Sequence, residues 1–202
     1  MLGFLNGILF IGGLYMFDEK PLGVQPLGER AKVFHSFDQQ NTWSQSDAVN
    51  QWWDAIYRRQ FPTLSGIVRN KTLGAAQTLG IDTVIVLPNG KTIAIEEKMR
   101  RKMGNDILLE HTRNDKLGKP GWIEQDLAVD FLAYGFWENN LAYFLSWPLL
   151  KQAWMKNGTI WKSRFGVVTA RNKNYNTLCT PVPVRTLYFA INEVSVVPCI
   201  MD

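Results

Sequence analysis

A predicted β-hairpin constrains the fold of this chain more than any other feature of its sequence. The segments Asp82–Leu87 (DTVIVL) and Lys91–Lys98 (KTIAIEEK) are rich in β-branched residues, and Pro88-Asn89-Gly90 lies between them. A three-residue loop with Pro early and Gly last fits a type I turn followed by a left-handed residue. This loop fixes the register of the two strands, and the register places Asp82 opposite Glu96.

The register brings three ionisable side chains together at the open end of the hairpin. Opposed side chains have Cβ atoms about 5 Å apart, so the carboxylates of Asp82 and Glu96 face each other. Strand alternation adds Lys98 to the same face and points Glu97 the other way. Two carboxylates this close repel unless a cation lies between them. The pattern indicates either a metal site or an ion network on an exposed face of the hairpin.

The same three side chains are suited to phosphodiester hydrolysis. The reaction needs charge neutralisation on the phosphate, an activated water and a stabilised leaving group, which a divalent metal can supply. Mg²⁺ (or Mn²⁺) keeps several waters, so Asp82, Glu96 and the backbone carbonyl of Glu97 suffice as protein ligands. Lys98 would orient the attacking water, or help deprotonate it, and stabilise developing charge.

These residues resemble the motif of the PD-(D/E)xK nuclease superfamily, which includes restriction endonucleases and archaeal Holliday-junction resolvases. Gly80-Ile81-Asp82 is followed, after thirteen residues, by Glu96-Glu97-Lys98. The order of a helix, a short strand, a glycine-containing loop, the Asp strand and the Glu-x-Lys strand is similar to the resolvase-like branch. The resemblance covers Ser46 to His111, about a third of the chain. It implies an α/β fold of the restriction-endonuclease-like type, with a mixed sheet flanked by helices, and metal-dependent cleavage of DNA.

The chain departs from the family pattern at three points. Ile81 stands where the family often has Pro. Many members carry a Glu on the first helix, and the candidates here are Asp54 and Asp47; Asp54 is the one we include among the candidate catalytic residues. No Gln-x-x-x-Tyr motif follows the core, so an endonuclease is favoured over an exonuclease.

The charge of the chain suits an anionic partner. It has 22 basic and 18 acidic residues, a formal net charge of +4. Basic side chains in and around the motif are the candidate DNA phosphate contacts: Arg69, Lys71, Arg100, Arg101, Lys102 and Arg113, with Lys116 and Lys119 in the same flanking segments. Of the eight tryptophans, Trp52 and Trp53 fit a buried helix face better than base stacking.

The remaining elements follow from periodicity and turn residues. Before the hairpin we predict a helix from Ser46 to Gln60, a strand at Ser65–Arg69 and a loop at Lys71–Gly80. Directly after it we predict a basic turn at Met99–Gly104, a strand at Ile107–His111 beside the site, and a charged loop at Thr112–Gly121. Further along we predict strands at Ala128–Phe136 and Leu141–Trp147 and a helix from Pro148 to Gly158. The last part, from Thr159 to Val197, is predicted to form strands around a polar loop at Arg171–Asn176. In this scheme Glu110 is either an accessory ligand or a salt-bridged carboxylate.

Residues 1–30 form an apolar segment and a turn-rich lead-in, and residues 31–202 a single nuclease-like domain with its core motif at 46–111. The run Leu2–Phe17 is shorter than the roughly 20 residues of a membrane span and contains Asn6 and four glycines. Its first Lys, Lys20, follows the run, unlike in a signal peptide. We therefore expect a strand or packed arm, an interface patch, or a start codon placed upstream of the folded domain, with membrane insertion as the alternative. We expect a cytoplasmic protein in which Cys179 and Cys199 are reduced rather than paired.

Two other functions stay open at this level. A nuclease-like fold can serve as a scaffold, so the first alternative is a non-catalytic nucleic-acid-binding protein within a larger assembly. The second is a membrane-associated or structural protein, suggested by the apolar run. A homodimer would let two sites cut both strands of a duplex, although no residue pattern specifies one.

Overall fold

The computed structural model describes residue 43 and residues 46–70, 79–102 and 104–195. Its helices are α1 (Asp47–Gln60), α2 (Trp147–Phe165) and α3 (Val184–Ser195), with 3-10 turns at Trp122–Glu124 and Trp137–Asn139. Its strands are β1 (Gly66–Arg69), β2 (Thr83–Val86), β3 (Thr92–Arg100), β4 (Asp106–Asn114), β5 (Lys119–Pro120), β6 (Phe131–Phe136), β7 (Leu141–Ser146), β8 (Val168–Arg171) and β9 (Asn176–Pro183). The apolar run at residues 2–17, most of the predicted loop at residues 71–80, and Cys199 lie outside the described residues.

The predicted hairpin is confirmed, with its register, at the centre of a five-stranded mixed sheet. In that sheet, ordered β1-β2-β3-β6-β7, β3 and β6 are parallel and the other neighbours are antiparallel. Val84 pairs with Ala94, and the amide of Leu87 donates to the carbonyl of Lys91 at 2.8 Å. Gly90 has a φ of +77°, the left-handed conformation that the turn requires.

Helix α1 covers one face of this sheet. Ser46 caps its N-terminus by accepting a hydrogen bond from the amide of Val49, as the sequence predicted. The buried side chains of the helix contact the hairpin and β6 around Ile85 and Ile95. At Gly135 in β6, an added Cβ would lie 3.0 Å from the ring of Trp52, so the absent side chain lets the helix approach the sheet closely.

A second, antiparallel sheet packs on the other side of the first. Its strand order is β5-β4-β9-β8. Apolar side chains from β4, β6, β9, α2 and α3 form one continuous buried cluster between the layers. The described residues thus form an α/β arrangement of one mixed and one antiparallel sheet with three helices, which confirms the predicted class in its coarse form. Among these residues no helix is both long and apolar enough to cross a membrane.

Two expectations about the region after the hairpin were wrong, and a third, the strand at Ile107–His111, was confirmed only in part. The basic turn begins later, because β3 continues to Arg100 in register with Phe136 of β6. The strand predicted at Ile107–His111 is longer and belongs to the second sheet; β6, not this strand, is the neighbour of β3. The charged loop at Thr112–Gly121 is a second hairpin, formed by β4 and β5.

The C-terminal half also differs from its prediction. Pro148 lies in the first turn of a helix as expected, but Gly158 does not end it. Gly158 is buried inside α2, where a Cβ would lie 3.1 Å from the ring of Trp154, and the helix ends instead before Gly166, with a φ of +75°. The last predicted strand segment is partly α3, whose buried side chains, such as Leu187, complete the core.

Candidate active site

Asp82 lies at the open end of the hairpin in a backbone segment held from both sides. Its amide donates to the carbonyl of Ile95 at 3.0 Å. Its carbonyl accepts from the amide of Asn70 at 2.9 Å, and the Asn70 side chain donates to the carbonyl of Ile81. Asn70 was not singled out from the sequence, because an amide after a short strand carries no motif. It fixes the path of the chain into the site.

The two predicted carboxylates do meet, and a lysine joins them. One oxygen of Asp82 accepts a hydrogen bond from the amide of Glu97 at 2.8 Å. The negative charge of Asp82 is close enough to Glu96 to raise the pKa of that carboxyl, and Lys98 donates to Glu96 Oε1. Glu96 is only 7% exposed, whereas the side chain of Lys98 is 32% exposed. The cluster is therefore a pair of acids, one buried (Glu96) and one half-buried (Asp82), with an accessible cation at its edge.

Burial sets the protonation of this cluster. It raises the pKa of Glu96 to about 7; Lys98 opposes the increase and Asp82 adds to it. Burial also acts to lower the pKa of Lys98, but the charges of Glu96 and Asp82 outweigh it, so that pKa is raised. Lys98 is thus protonated at neutral pH, while Glu96 is close to its titration midpoint. Perturbed groups of this kind are characteristic of functional sites.

The donor set at this end of the hairpin fits an oxygen-ligated divalent cation. Asp82 and Glu96 present carboxylate oxygens to the same space. The amide and carbonyl of one strand residue point toward the same neighbouring strand. The Glu97 amide binds Asp82, so the Glu97 carbonyl also points toward the Asp82 side of β3. Within the described residues, no group of three or more His, Cys, Asp or Glu side chains converges as a metal cluster. Mg²⁺ tolerates so few protein ligands because it keeps several waters.

The side chain of Glu97 points to the opposite face, toward α1, as strand alternation predicted. It accepts hydrogen bonds from the hydroxyls of Tyr57 and Thr83, both at 2.7 Å, and from Arg69 at 3.0 Å. Burial raises the pKa of Glu97, and Arg69 opposes that increase. Tyr57 and Thr83 were missed because neither lies in a recognisable motif. They anchor β3 directly behind the acid pair.

Asp54 and Arg69 belong to this buried network. Arg69 donates to Asp54 at 2.5 Å and to the carbonyl of Asn50 at 2.9 Å. Both residues therefore lie with Glu97 on the α1 side of the sheet, across β3 from Lys98. The structure does not bring Asp54 together with the acid pair, and Arg69, 14% exposed at its side chain, is occupied within the fold.

The second sheet brings one further acid close to Lys98. The negative charge of Glu110 on β4 contributes to the raised pKa of Lys98. The neighbouring His111 faces away from the site: it stacks on the ring of Trp154, with ring centroids 6.1 Å apart. Glu110 is thus the residue of this pair that the fold places near the cluster.

The candidate phosphate contacts fall into two groups. Some are occupied by the fold: Arg100 pairs with Asp106 at 2.6 Å, and the guanidinium of Arg101 lies 4.7 Å from the ring centre of Trp43. Lys102 and Arg113 are exposed. Lys71 lies outside the described residues.

Comparisons of this chain with protein-family models, with curated proteins and with solved structures found no match.

Proposed function

We propose that this protein is a metal-dependent DNA endonuclease of the PD-(D/E)xK type, and that Asp82, Glu96 and Lys98 are its catalytic residues. One observation carries the proposal: an opposed acid pair at the end of a hairpin, with Glu96 buried and Asp82 half-buried, and with a lysine on the same face that donates to Glu96. An ion network that only stabilised the fold would gain little from such an arrangement, because two like charges lie together and only one lysine compensates for the cost of removing them from water.

Each residue has a separate role in this proposal. Asp82, Glu96 and the backbone carbonyl of Glu97 would hold Mg²⁺ or Mn²⁺. The metal, when bound, activates the attacking water and neutralises charge on the phosphate. Lys98 keeps its proton beside two carboxylates, which favours orientation of the water and stabilisation of developing negative charge over proton abstraction.

The surroundings of the site support the same chemistry. We also propose that the fold is of the restriction-endonuclease-like type. Three features agree with it: a helix on one face of a mixed sheet, an antiparallel hairpin, and a parallel β3–β6 pair. Positions for DNA phosphates are Lys102 and Arg113, which are exposed and have no acidic partner in an ion pair among the described residues. We propose that Arg69 and Asp54 hold β3 in place, because Arg69 links the side chain of Glu97 on β3 to Asp54 on α1.

Cleavage by the purified protein tests the proposal. Supercoiled plasmid, a branched duplex and single-stranded DNA would each be incubated with Mg²⁺, Mn²⁺ or EDTA. We expect metal-dependent cleavage by the wild type and none by Lys98→Ala, with Lys91→Ala, an exposed lysine at the turn end of the same hairpin, as the matched control that retains activity. DNA binding without cleavage of any substrate would instead favour a non-catalytic nucleic-acid-binding scaffold.

A further inference from the structure

Two short segments of this chain carry far more positive than negative charge. Residues 113–119 and 171–176, which we call the basic tip, contain five basic residues and one acidic residue. With five of the 22 basic and one of the 18 acidic residues in the tip, the rest of the chain has 17 of each. The tip therefore has a formal net charge of +4, as large as that of the whole chain.

The fold joins the two segments at one end of the second sheet. The first is the turn between β4 and β5, and the second is the turn between β8 and β9. Asp115 connects them: its backbone amide donates to the carbonyl of Asn176 at 3.1 Å, and its carboxylate accepts from the Asn176 amide and side chain at 2.8 and 2.7 Å. The only acid of the tip is thus engaged in holding the two turns together.

The cations of the tip are available to a partner. Those in question are Arg113, Lys116, Lys119, Arg171 and Lys173, and all five are exposed. Within the part of the chain that the structure describes, none of them forms an ion pair. Strand β8 leads into the tip with every one of its residues exposed.

The dimensions of the tip match a nucleic-acid backbone close to the candidate active site. Three steps between adjacent strands separate Lys119 on β5 from Arg171 on β8, about 14 Å across the sheet. The major groove of duplex DNA is about 12 Å wide, so the two edges of the tip can meet phosphates on both sides of it. Arg113 lies three residues beyond Glu110, about 10 Å along β4, and the charge of Glu110 interacts with those of both Arg113 and Lys98.

We infer that the basic tip is a phosphate-binding surface for duplex DNA, and that it holds the duplex next to the Asp82–Glu96–Lys98 cluster. This inference rests on the proposed function for the identity of the partner. It adds Arg171 and Lys173, from a segment in which the sequence showed no chemistry, to the DNA-contacting residues. The tip recognises backbone charge, so it contributes affinity and not sequence preference.

The experiment is a salt titration of DNA binding by full-length protein in EDTA, with a fluorescein-labelled duplex read by anisotropy. The variant Arg171→Gln/Lys173→Gln is compared with Arg58→Gln/Arg59→Gln, which removes the same charge from the exposed end of α1. Each phosphate contact contributes about 0.9 to the slope of log K against log salt. We expect the tip variant to lose up to about 1.8 from that slope and to bind on the order of tenfold or more weakly at 0.1 M salt.

Equal effects of the two double variants, or wild-type binding by the tip variant, would overturn the inference. So would a tip variant that loses binding to phosphatidylserine–phosphatidylcholine vesicles while it keeps its affinity for DNA.

Cleavage in Mg²⁺ separates the two proposals. A wild type that binds DNA through the tip but never cleaves it supports the tip and contradicts the nuclease. A wild type that cleaves DNA, but whose DNA binding does not depend on the tip, supports the nuclease and contradicts the tip.

Discussion

Replacing Arg69 by Met should destabilise the fold strongly, because Arg69 is the only cation that contacts the buried carboxylate of Glu97 among the described residues. Arg69 and Glu97 are each 14% exposed at their side chains, and their closest atoms are 3.0 Å apart. Met keeps much of the length of the Arg side chain and removes its charge. The substitution therefore leaves Glu97 buried without its counter-ion.

The size of the effect follows from these contacts. Removing one partner of a fully buried ion pair costs about 3–5 kcal/mol. Glu97 retains its hydrogen bonds from Tyr57 and Thr83, which reduces the loss. Asp54 is 40% exposed, so its lost pairing adds no more than about 1 kcal/mol. We expect the free energy of unfolding to fall by about 2–4 kcal/mol at pH 7.

The loss should also depend on pH. Without Arg69, burial raises the pKa of Glu97 further above its value in the unfolded chain. A raised pKa favours the folded state at low pH and loses that contribution as pH rises through the folded pKa. The deficit of the variant should therefore shrink between pH 7 and pH 5.

Urea unfolding followed by tryptophan fluorescence at both pH values measures the effect. Arg59→Met, on the exposed end of α1, is the matched control and should change stability by less than about 0.5 kcal/mol. A loss below about 1 kcal/mol for Arg69→Met, or a loss independent of pH, would refute the assignment of Arg69 to the fold and return it to the candidate DNA contacts.

Three further outcomes are expected. Glu96→Gln should remain folded and lose metal binding and cleavage. Burial raises the pKa of Glu96 to about 7, so the free energy of unfolding of the wild type, compared with that of Glu96→Gln, should fall as pH rises from about 4.5 to 7 in urea unfolding. The apparent affinity for Mn²⁺ should rise between pH 6 and 8, with proton release detected by calorimetry in two buffers, since Glu96 must be deprotonated to bind; a flat profile would contradict this. Gly135→Ala should lower stability by about 1–3 kcal/mol in thermal unfolding, because its Cβ would lie 3.0 Å from Trp52, whereas Gly66→Ala, with its nearest neighbour at 3.9 Å, should lose no packing.

The sequence predicted local features of the fold well. The register of the hairpin is set by its own three-residue turn, where the amide of Leu87 bonds to Lys91 four residues away. The start of α1 is set by Ser46, which bonds to the amide of Val49 three residues away. The opposition of Asp82 and Glu96 follows from that register. The end of α2 was missed because a glycine after Asn157 is a common stop signal, and only contact with Trp154 shows why Gly158 is tolerated inside a helix.

Features that depend on distant pairings could not be predicted in this way. Strand β4 pairs with β9, with Ile107 opposite Val182, a partner 75 residues away that no local pattern identifies. The packing of this second sheet against the first is equally non-local, and it brings the charge of Glu110 close enough to act on Lys98. The roles of Tyr57 and Arg69 also depend on the packing of α1 against β3, which brings together side chains that are far apart in sequence.

The central claim, a metal-dependent nuclease site at Asp82, Glu96 and Lys98, is tested most directly by calorimetry. Mn²⁺ would be titrated into the wild type, Asp82→Asn and Lys98→Met, and plasmid cleavage would be measured on the same samples. The proposed site predicts that the wild type binds and cleaves, that Asp82→Asn does neither, and that Lys98→Met binds Mn²⁺ without cleaving. Mn²⁺ binding that is unchanged in Asp82→Asn, or cleavage that survives in Lys98→Met, would contradict it.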